Sequence, residues 1–175
     1  MDKFKLTAET KVWNGLTLYR IEAMISFGSV KAGDKGGFVE AEKNLSHDGD
    51  AWVYGDAQVY GNAQVYGDAQ VDGDARVYGD AWVSGNAQVY GDAQVSPINL
   101  IGLPYSITIT DRHMRIGCEH HAISDWFAFD DRKIAQMDGI RASRFWKSYR
   151  DILLCVCLNE RPDALRSETT ATETA

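Results

Sequence analysis

From Ala51 the chain repeats itself every six residues: AWVYGD, AQVYGN, AQVYGD, AQVDGD, ARVYGD, AWVSGN, AQVYGD and AQVSPI run without a break to Ile98. In extended backbone, side chains two positions apart share a face. Each unit therefore turns its Ala and Val one way and sends the intervening Trp, Gln or Arg, and the following Tyr, Ser or Asp, the other. The Gly-Asp or Gly-Asn pair that comes next tolerates positive φ and bonds its own backbone, so the chain turns once per unit. A helix is excluded, because the period is not about 3.6 and Gly recurs in nearly every unit. Hairpins closed by Gly-Asp or Gly-Asn are the alternative, but strands of four residues with the same inward Ala-Val pair would make a narrow meander with two open edges. The period predicts a solenoid, whose stacked coils bury what no single unit can.

The units resemble the hexapeptide-repeat proteins, whose pattern of aliphatic, x, x, x, small, x is matched by Val53-Tyr54-Gly55-Asp56-Ala57-Gln58 and its successors. The resemblance implies a mainly β fold, a left-handed parallel β-helix (a triangular solenoid) with three units, hence eighteen residues, per coil. Stacking at that interval puts Asp56, Asp74 and Asp92 on one corner and Asp50, Asp68 and Asn86 on another, about 4.8 Å apart per coil. It puts Tyr60 beneath Tyr78, Trp52 in a column with Gln70 and Gln88, and Gln58 with Arg76 and Gln94. Upstream, Val39–Asn44 and Leu45–Asp50 keep Asn and Gly-Asp in phase, so one degenerate coil is expected before the regular ones.

Four segments are expected: an N-terminal β cap over 1–38, the repeat over 39–98, a C-terminal cap over 99–160 and a flexible tail over 161–175. In the first, Asn14-Gly15 between alternating runs signals a hairpin. In the third, Ser106–Thr110 and His113–Ile116 read as two strands of a β-hairpin. Two helices follow, about Ile123–Met137 and Ala142–Leu158, parted at Asp138-Gly139. The run Ile109–His121, the pair Asp125-Trp126 and Arg144-Phe145-Trp146 resemble the C-terminal part of proteins encoded by bacteriophages and prophages. So do Leu18-Tyr19-Arg20-Ile21 and Gly33-Asp34-Lys35-Gly36-Gly37 near the start. That likeness implies a genomic setting and no particular activity.

Net charge is −7, and its location matters more than its size. Between Leu45 and Ser96 eight aspartates face a single Arg76, so the whole excess lies on the repeat and the remaining acids and bases cancel. Such a field repels nucleic acid phosphates and favours a basic partner or cations. With no apolar run of membrane-spanning length and no signal-peptide pattern at the start, neither membrane nor export is expected and the cytoplasm is the default. Three cysteines, Cys118, Cys155 and Cys157, suit a reducing compartment better than a disulfide framework.

Many hexapeptide-repeat proteins are trimeric acyltransferases with a histidine base near a subunit interface. Here only His47 lies in the repeat, and no inserted loop walls a cofactor groove. The related carbonic anhydrases hold zinc with three histidines, which the repeat lacks. His113, Cys118, His120 and His121 are the densest cluster of metal-ligand types, yet paired CxxC or HExxH spacing is absent, and neighbours such as His120 and His121 point apart on extended backbone. The corner aspartates are either turn residues or a row of oxygen ligands for a cation such as Ca²⁺. No cofactor is expected and no catalytic residue is assigned.

Outward aromatics are the more informative signal. Trp52, Tyr54, Tyr60, Tyr66, Tyr78, Trp82 and Tyr90 would cost solubility unless something covers them, and Tyr and Trp anchor interfaces. They are assigned to self-association, as a trimer by the family's habit, or to another partner. Asp56, Asp68, Asp72, Asp74, Asp80 and Asp92 form the expected acidic surface. The expectation is a non-enzymatic oligomer presenting that surface to a host protein, for instance a defence or nucleic-acid-binding factor inhibited by imitation of DNA. The alternatives are an acyltransferase-like enzyme using His47 or His120, and an oligomer that sequesters a small molecule or nucleotide.

Overall fold

The computed structural model describes residues 2–165 and divides the chain into two compact units, Met1–Asn99 and Leu100–Ala175. The first opens with β1 (Phe4–Trp13) and β2 (Leu16–Ala23), paired antiparallel from Phe4 opposite Ala23 to Trp13 opposite Leu16. Asn14 and Gly15 both take positive φ, 48° and 79°, which the tight two-residue hairpin demands. Next comes β3 (Lys35–Val39). Each of the first seven units then gives a two-residue strand: β4 (Trp52–Val53), β5 (Gln58–Val59), β6 (Gln64–Val65), β7 (Gln70–Val71), β8 (Arg76–Val77), β9 (Trp82–Val83) and β10 (Gln88–Val89).

These strands stack in three parallel ladders: β4, β7 and β10; β3, β5 and β8; β6 and β9. Within the repeat the partners are eighteen residues apart, Trp52 with Gln70, Gln70 with Gln88, Gln58 with Arg76 and Gln64 with Trp82. Three units thus complete one coil. The interior is the column of inward Ala and Val: every Ala from Ala51 to Ala93 and every Val from Val53 to Val89 is 0% exposed. Each buried Val stabilises by about 1.5 kcal/mol or more. Val65 and Val83 lie one above the other on the third ladder, and Tyr60 stacks on Tyr78 with ring centres 5.4 Å apart.

Both ends of the repeat depart from the expected phase. Upstream, Val39 pairs with Val59 and Leu45 with Val65, an offset of twenty, because two extra residues lie between Leu45 and Val53, around His47. Asn44, expected at an outward corner, is 0% exposed, and its Nδ2 donates to the carbonyls of Gly61 and Ala63 at 3.2 and 2.9 Å. Downstream, Val77 pairs with Ala93, an offset of sixteen. The eighth unit therefore does not continue the coil, the Arg76–Gln94 column does not form, and Val95 is 47% exposed. Arg76 instead grips Asp92, Nε to Oδ1 at 2.9 Å and Nη2 to Oδ2 at 2.7 Å. The amide of Trp82 donates to Ser96 Oγ at 3.0 Å, just ahead of Pro97, which has no N–H to extend a ladder.

After β11 (Ile98–Leu100), the second unit forms an antiparallel meander of β12 (Ile107–Ile109), β13 (His113–Ile116) and β14 (Glu119–Ala122). The third of these strands was not expected: Gly117 at φ 61° lets a two-residue turn carry the chain back, so His120 and His121 lie on a strand. α1 (Ile123–Ala128) and α2 (Asp131–Glu160) follow. Asp130 caps α2 by accepting from the Lys133 amide at 2.7 Å, which ends the first expected helix early. Within α2 the expected break is present, with Asp138 and Gly139 outside helical φ and ψ. Trp126 Nε1 donates to the Met114 carbonyl at 2.6 Å, fastening α1 across the meander. Of the expected tail, Pro162–Leu165 form a 3₁₀ turn and Arg161 Nε donates to Thr110 O at 3.0 Å; residues 166–175 lie outside the described residues.

Two measurements test these packing arguments. A Cβ on Gly37 would stand 2.5 Å from the Ala57 carbonyl and 2.6 Å from Val53 Cγ1, so Gly37→Ala should destabilise by about 3 kcal/mol. Gly73→Ala meets nothing within 4 Å and should cost only its left-handed φ, about 1 kcal/mol; urea midpoints that fail to separate the two variants would refute the crowding argument. On the meander, burial, aided by the nearby His113, Arg115 and His121, holds His120 down at about 4. The unfolded imidazole takes its proton near 6.5 and the folded one only near 4, so stability is fully present above that window and is lost as pH falls through it. His120→Gln should flatten the fall in urea midpoint between pH 7 and 4, and parallel curves for variant and wild type would contradict it.

Candidate functional site

The three faces of the solenoid are not equivalent. On the face of β4, β7 and β10, Trp52 was expected to stand outward and exposed; it is 1% exposed. The N-terminal segment folds over it, with the Phe4 and Phe27 rings edge-on at 6.4 and 5.4 Å. Trp52 is a core residue of the first unit and no free anchor. Tyr54 beside it is half-buried, its hydroxyl 3.1 Å from Ser29 Oγ. On the face of β3, β5 and β8, Gln58 is buried and the Arg76 guanidinium lies 5.0 Å from the Trp13 ring centre, while Tyr60 and Tyr78 are half-buried.

The face of β6 and β9 is the open one. Gln64 is exposed, Trp82 is 56% exposed, and half-buried Tyr66 meets Trp82 edge-on at 6.4 Å. Around Trp82 lie Lys43, Asn62 and Asp80, which with Gln64 line a shallow depression. Tyr90, on the β10 side, is 36% exposed. Trp52 and Trp82 occupy the same place in their units, so the repeat alone does not distinguish them. What separates them is that Phe4 and Phe27 of the N-terminal segment pack on Trp52.

The acidic surface is narrower than the charge count implied. Arg20 Nη2 pairs with Asp56 Oδ1 at 3.2 Å, and Arg76 pairs with Asp92, so two of the six expected aspartates are matched within the unit. Asp72 accepts from the Gly73 amide, Asp68 from the Asp50 amide at 3.3 Å, and Asp80 from Asn62 Nδ2 at 3.1 Å. These bonds are turn and column geometry. Asp68, Asp74 and Asp80 keep exposed side chains, and among the described residues no three of His, Cys, Asp or Glu gather as a metal set.

The histidine candidates are dispersed. His47 stacks on Phe4 at 4.3 Å and its Nδ1 accepts from the Lys3 amide at 3.1 Å, so the one repeat histidine is tied up under β1. On the meander, His120 stands opposite Arg115 and His121 opposite Met114, which sends them to opposite faces. His113 and His120 stack at 5.0 Å. His121 turns toward the helices, edge-on to Trp126 and Phe129 at 5.2 and 5.0 Å, its Nε2 3.1 Å from Glu119 Oε2. Cys118 sits exposed at the turn, apart from both.

The second unit also holds a cavity of about 290 Å³ between meander and helices, walled by Tyr105, Trp126, Phe145 and Trp146, with Cys118, Glu119 and Asp138 among its polar lining groups. Sequence reading placed Trp126, Phe145 and Trp146 on the two expected helices and missed it. The only available signal was the break at Asp138-Gly139, which interrupts α2 between the lining residues Ile134 and Ala142.

Among the described residues no helix is long and apolar enough to cross a membrane. A comparison with curated proteins finds no match. A family model described as YdcK beta solenoid repeat matches residues 57–73 and 69–85, which are the regular units whose strands β5 to β9 stack at eighteen-residue intervals, so the solenoid seen in the fold and the similarity of the sequence converge on the same stretch.

Proposed function

We propose that this chain is a non-enzymatic interaction protein of phage or prophage origin, a left-handed β-helix of the hexapeptide-repeat kind capped at both ends, that binds a protein through the open face of its solenoid. The observation carrying this reading is Trp82, 56% exposed on a rigid ladder whose partner strand brings Gln64 and Tyr66 alongside. A large aromatic held by a backbone that cannot yield loses little entropy on binding and serves as an anchor. Exposed Asp68 and Asp80, on the two corners that bound this face, frame it with negative charge, which fits a basic surface.

Such a surface belongs to a host nucleic-acid-binding or defence factor, engaged by imitation of the charge on DNA. Self-association into a trimer would use the same face, so copies of the chain and a foreign partner compete for it. His47, the histidine an acyltransferase reading would use, is stacked on Phe4 and hydrogen-bonded to the Lys3 amide.

Trp82→Ala should leave the circular dichroism spectrum intact while weakening partner binding about tenfold or more, and Asp68→Asn with Asp80→Asn should flatten the loss of binding with added salt. Binding indifferent to both Trp82 and ionic strength would sink the reading. A native mass spectrum holding only single-protomer masses would leave the face to the foreign partner.

A further inference from the structure

The cavity of the second unit has a chemistry of its own. Its walls are ring faces and edges: Trp126 and Trp146 lie tilted at 5.5 Å, and Tyr105 meets Phe145 edge-on at 5.0 Å. Its floor is aliphatic, Ile116 from the meander and Ile134 and Ala142 from the two parts of α2. The formally charged groups that line it are two carboxylates, Glu119 and Asp138, and neither Lys nor Arg is among the lining residues. At about 290 Å³ it is at the small end of ligand sites, with room for one ring or a short branched body.

We propose that this cavity binds a small organic cation, an ammonium group carried on an aromatic or alkyl body. Aromatic faces carry negative quadrupole and attract a cation within about 6 Å of the ring centre. The two lining carboxylates, Glu119 and Asp138, complete the preference, and an anion would be repelled by both. The fold supplies an internal example at the rim. The Arg141 guanidinium lies 4.9 Å from the Tyr105 ring centre with Nη1 4.0 Å from Asp138 Oδ2, while Tyr105 Oη donates to that oxygen at 2.5 Å. Arg141 is held outside the cavity by a further bond from Nη2 to the Pro104 carbonyl at 3.2 Å. Asp138 is therefore partly answered by Tyr105 and Arg141, and Glu119, whose Oε2 lies 3.1 Å from the His121 ring nitrogen, is the carboxylate assigned to receive the ligand's charge.

Cys118 lines the cavity and Cys155, which does not, is also exposed, so the intact chain carries both a reporter and its control. Alkylation by iodoacetamide is followed at each thiol by peptide mass, with and without benzyltrimethylammonium. The ammonium should slow modification of Cys118 several-fold, leave Cys155 unchanged and perturb tryptophan fluorescence saturably. The uncharged carbon isostere and phenylacetate should do neither. Glu119→Gln should weaken the ammonium about tenfold or more with the circular dichroism unchanged, and Ala142→Leu, which fills the floor, should abolish protection. Equal protection by phenylacetate or by the uncharged isostere, or unaltered Cys118 reactivity at millimolar ammonium, would overturn the assignment. Because the wild-type footprint needs no variant, it decides the matter even if a substitution disturbs folding.

Discussion

The first unit depends on one constraint: two inward side chains in every six, Ala and Val, must share a dry interior while the backbone between them satisfies itself against the coil above and below. Neither requirement can be met within a unit. A strand of two residues has almost no ladder of its own, and an isolated Ala-Val pair buries too little area to offset its ordering. Stacking at eighteen residues meets both at once, because the register that places Val53 over Val71 also sends the Tyr54 amide to the Val71 carbonyl at 2.7 Å. Ala is suited to its position by size, and Gly by its left-handed φ, so the corners stay tight enough to keep water out.

A solenoid built this way has the difficulty of its ends, where carbonyls and amides face no next coil. At the start of the repeat the chain answers with side chains. Lys3 is 1% exposed and donates to the carbonyls of Gly49 and Ala51 at 3.2 and 2.9 Å; burial pulls its ammonium below the ordinary lysine range, against the favourable charges of Asp50 and Asp48. Asn44 does the same for Gly61 and Ala63. Arg20 gathers the Gly36 and Gly55 carbonyls with Asp56. Offsets of twenty before the repeat and sixteen after it mark where these local solutions take over from the regular coil.

The candidate sites were legible in the sequence to very different degrees. Outward positions were correctly read within the regular coils, where Tyr60 over Tyr78 follows from the period alone, but not at the ends, where Asn44 is buried and the Arg76–Gln94 column does not form. Whether an outward residue meets solvent does not follow, since it depends on a segment remote in sequence: Phe4 and Phe27 cover Trp52 while Trp82, at the same place in its unit, stays open. The charge count was right and its meaning incomplete, because Arg20 sits far from Asp56 in the chain and beside it in space. The histidines were read correctly as pointing apart, though not the strand that carries them. Gly117 turns the chain into a third strand, and strand alternation then divides His120 from His121.

What the sequence by itself determined is the repeat, its period, the inward pair and the hairpin at Asn14-Gly15, all local consequences of side-chain size, strand alternation and the φ that Gly and Asn tolerate. What only the tertiary structure decided is where the regular coil begins and ends, which face is left open, and that aromatics on two helices and a loop enclose a cavity. Those outcomes are set by contacts between residues many positions apart, and a six-residue rule, identical in every unit, holds no information that could tell one coil from the next.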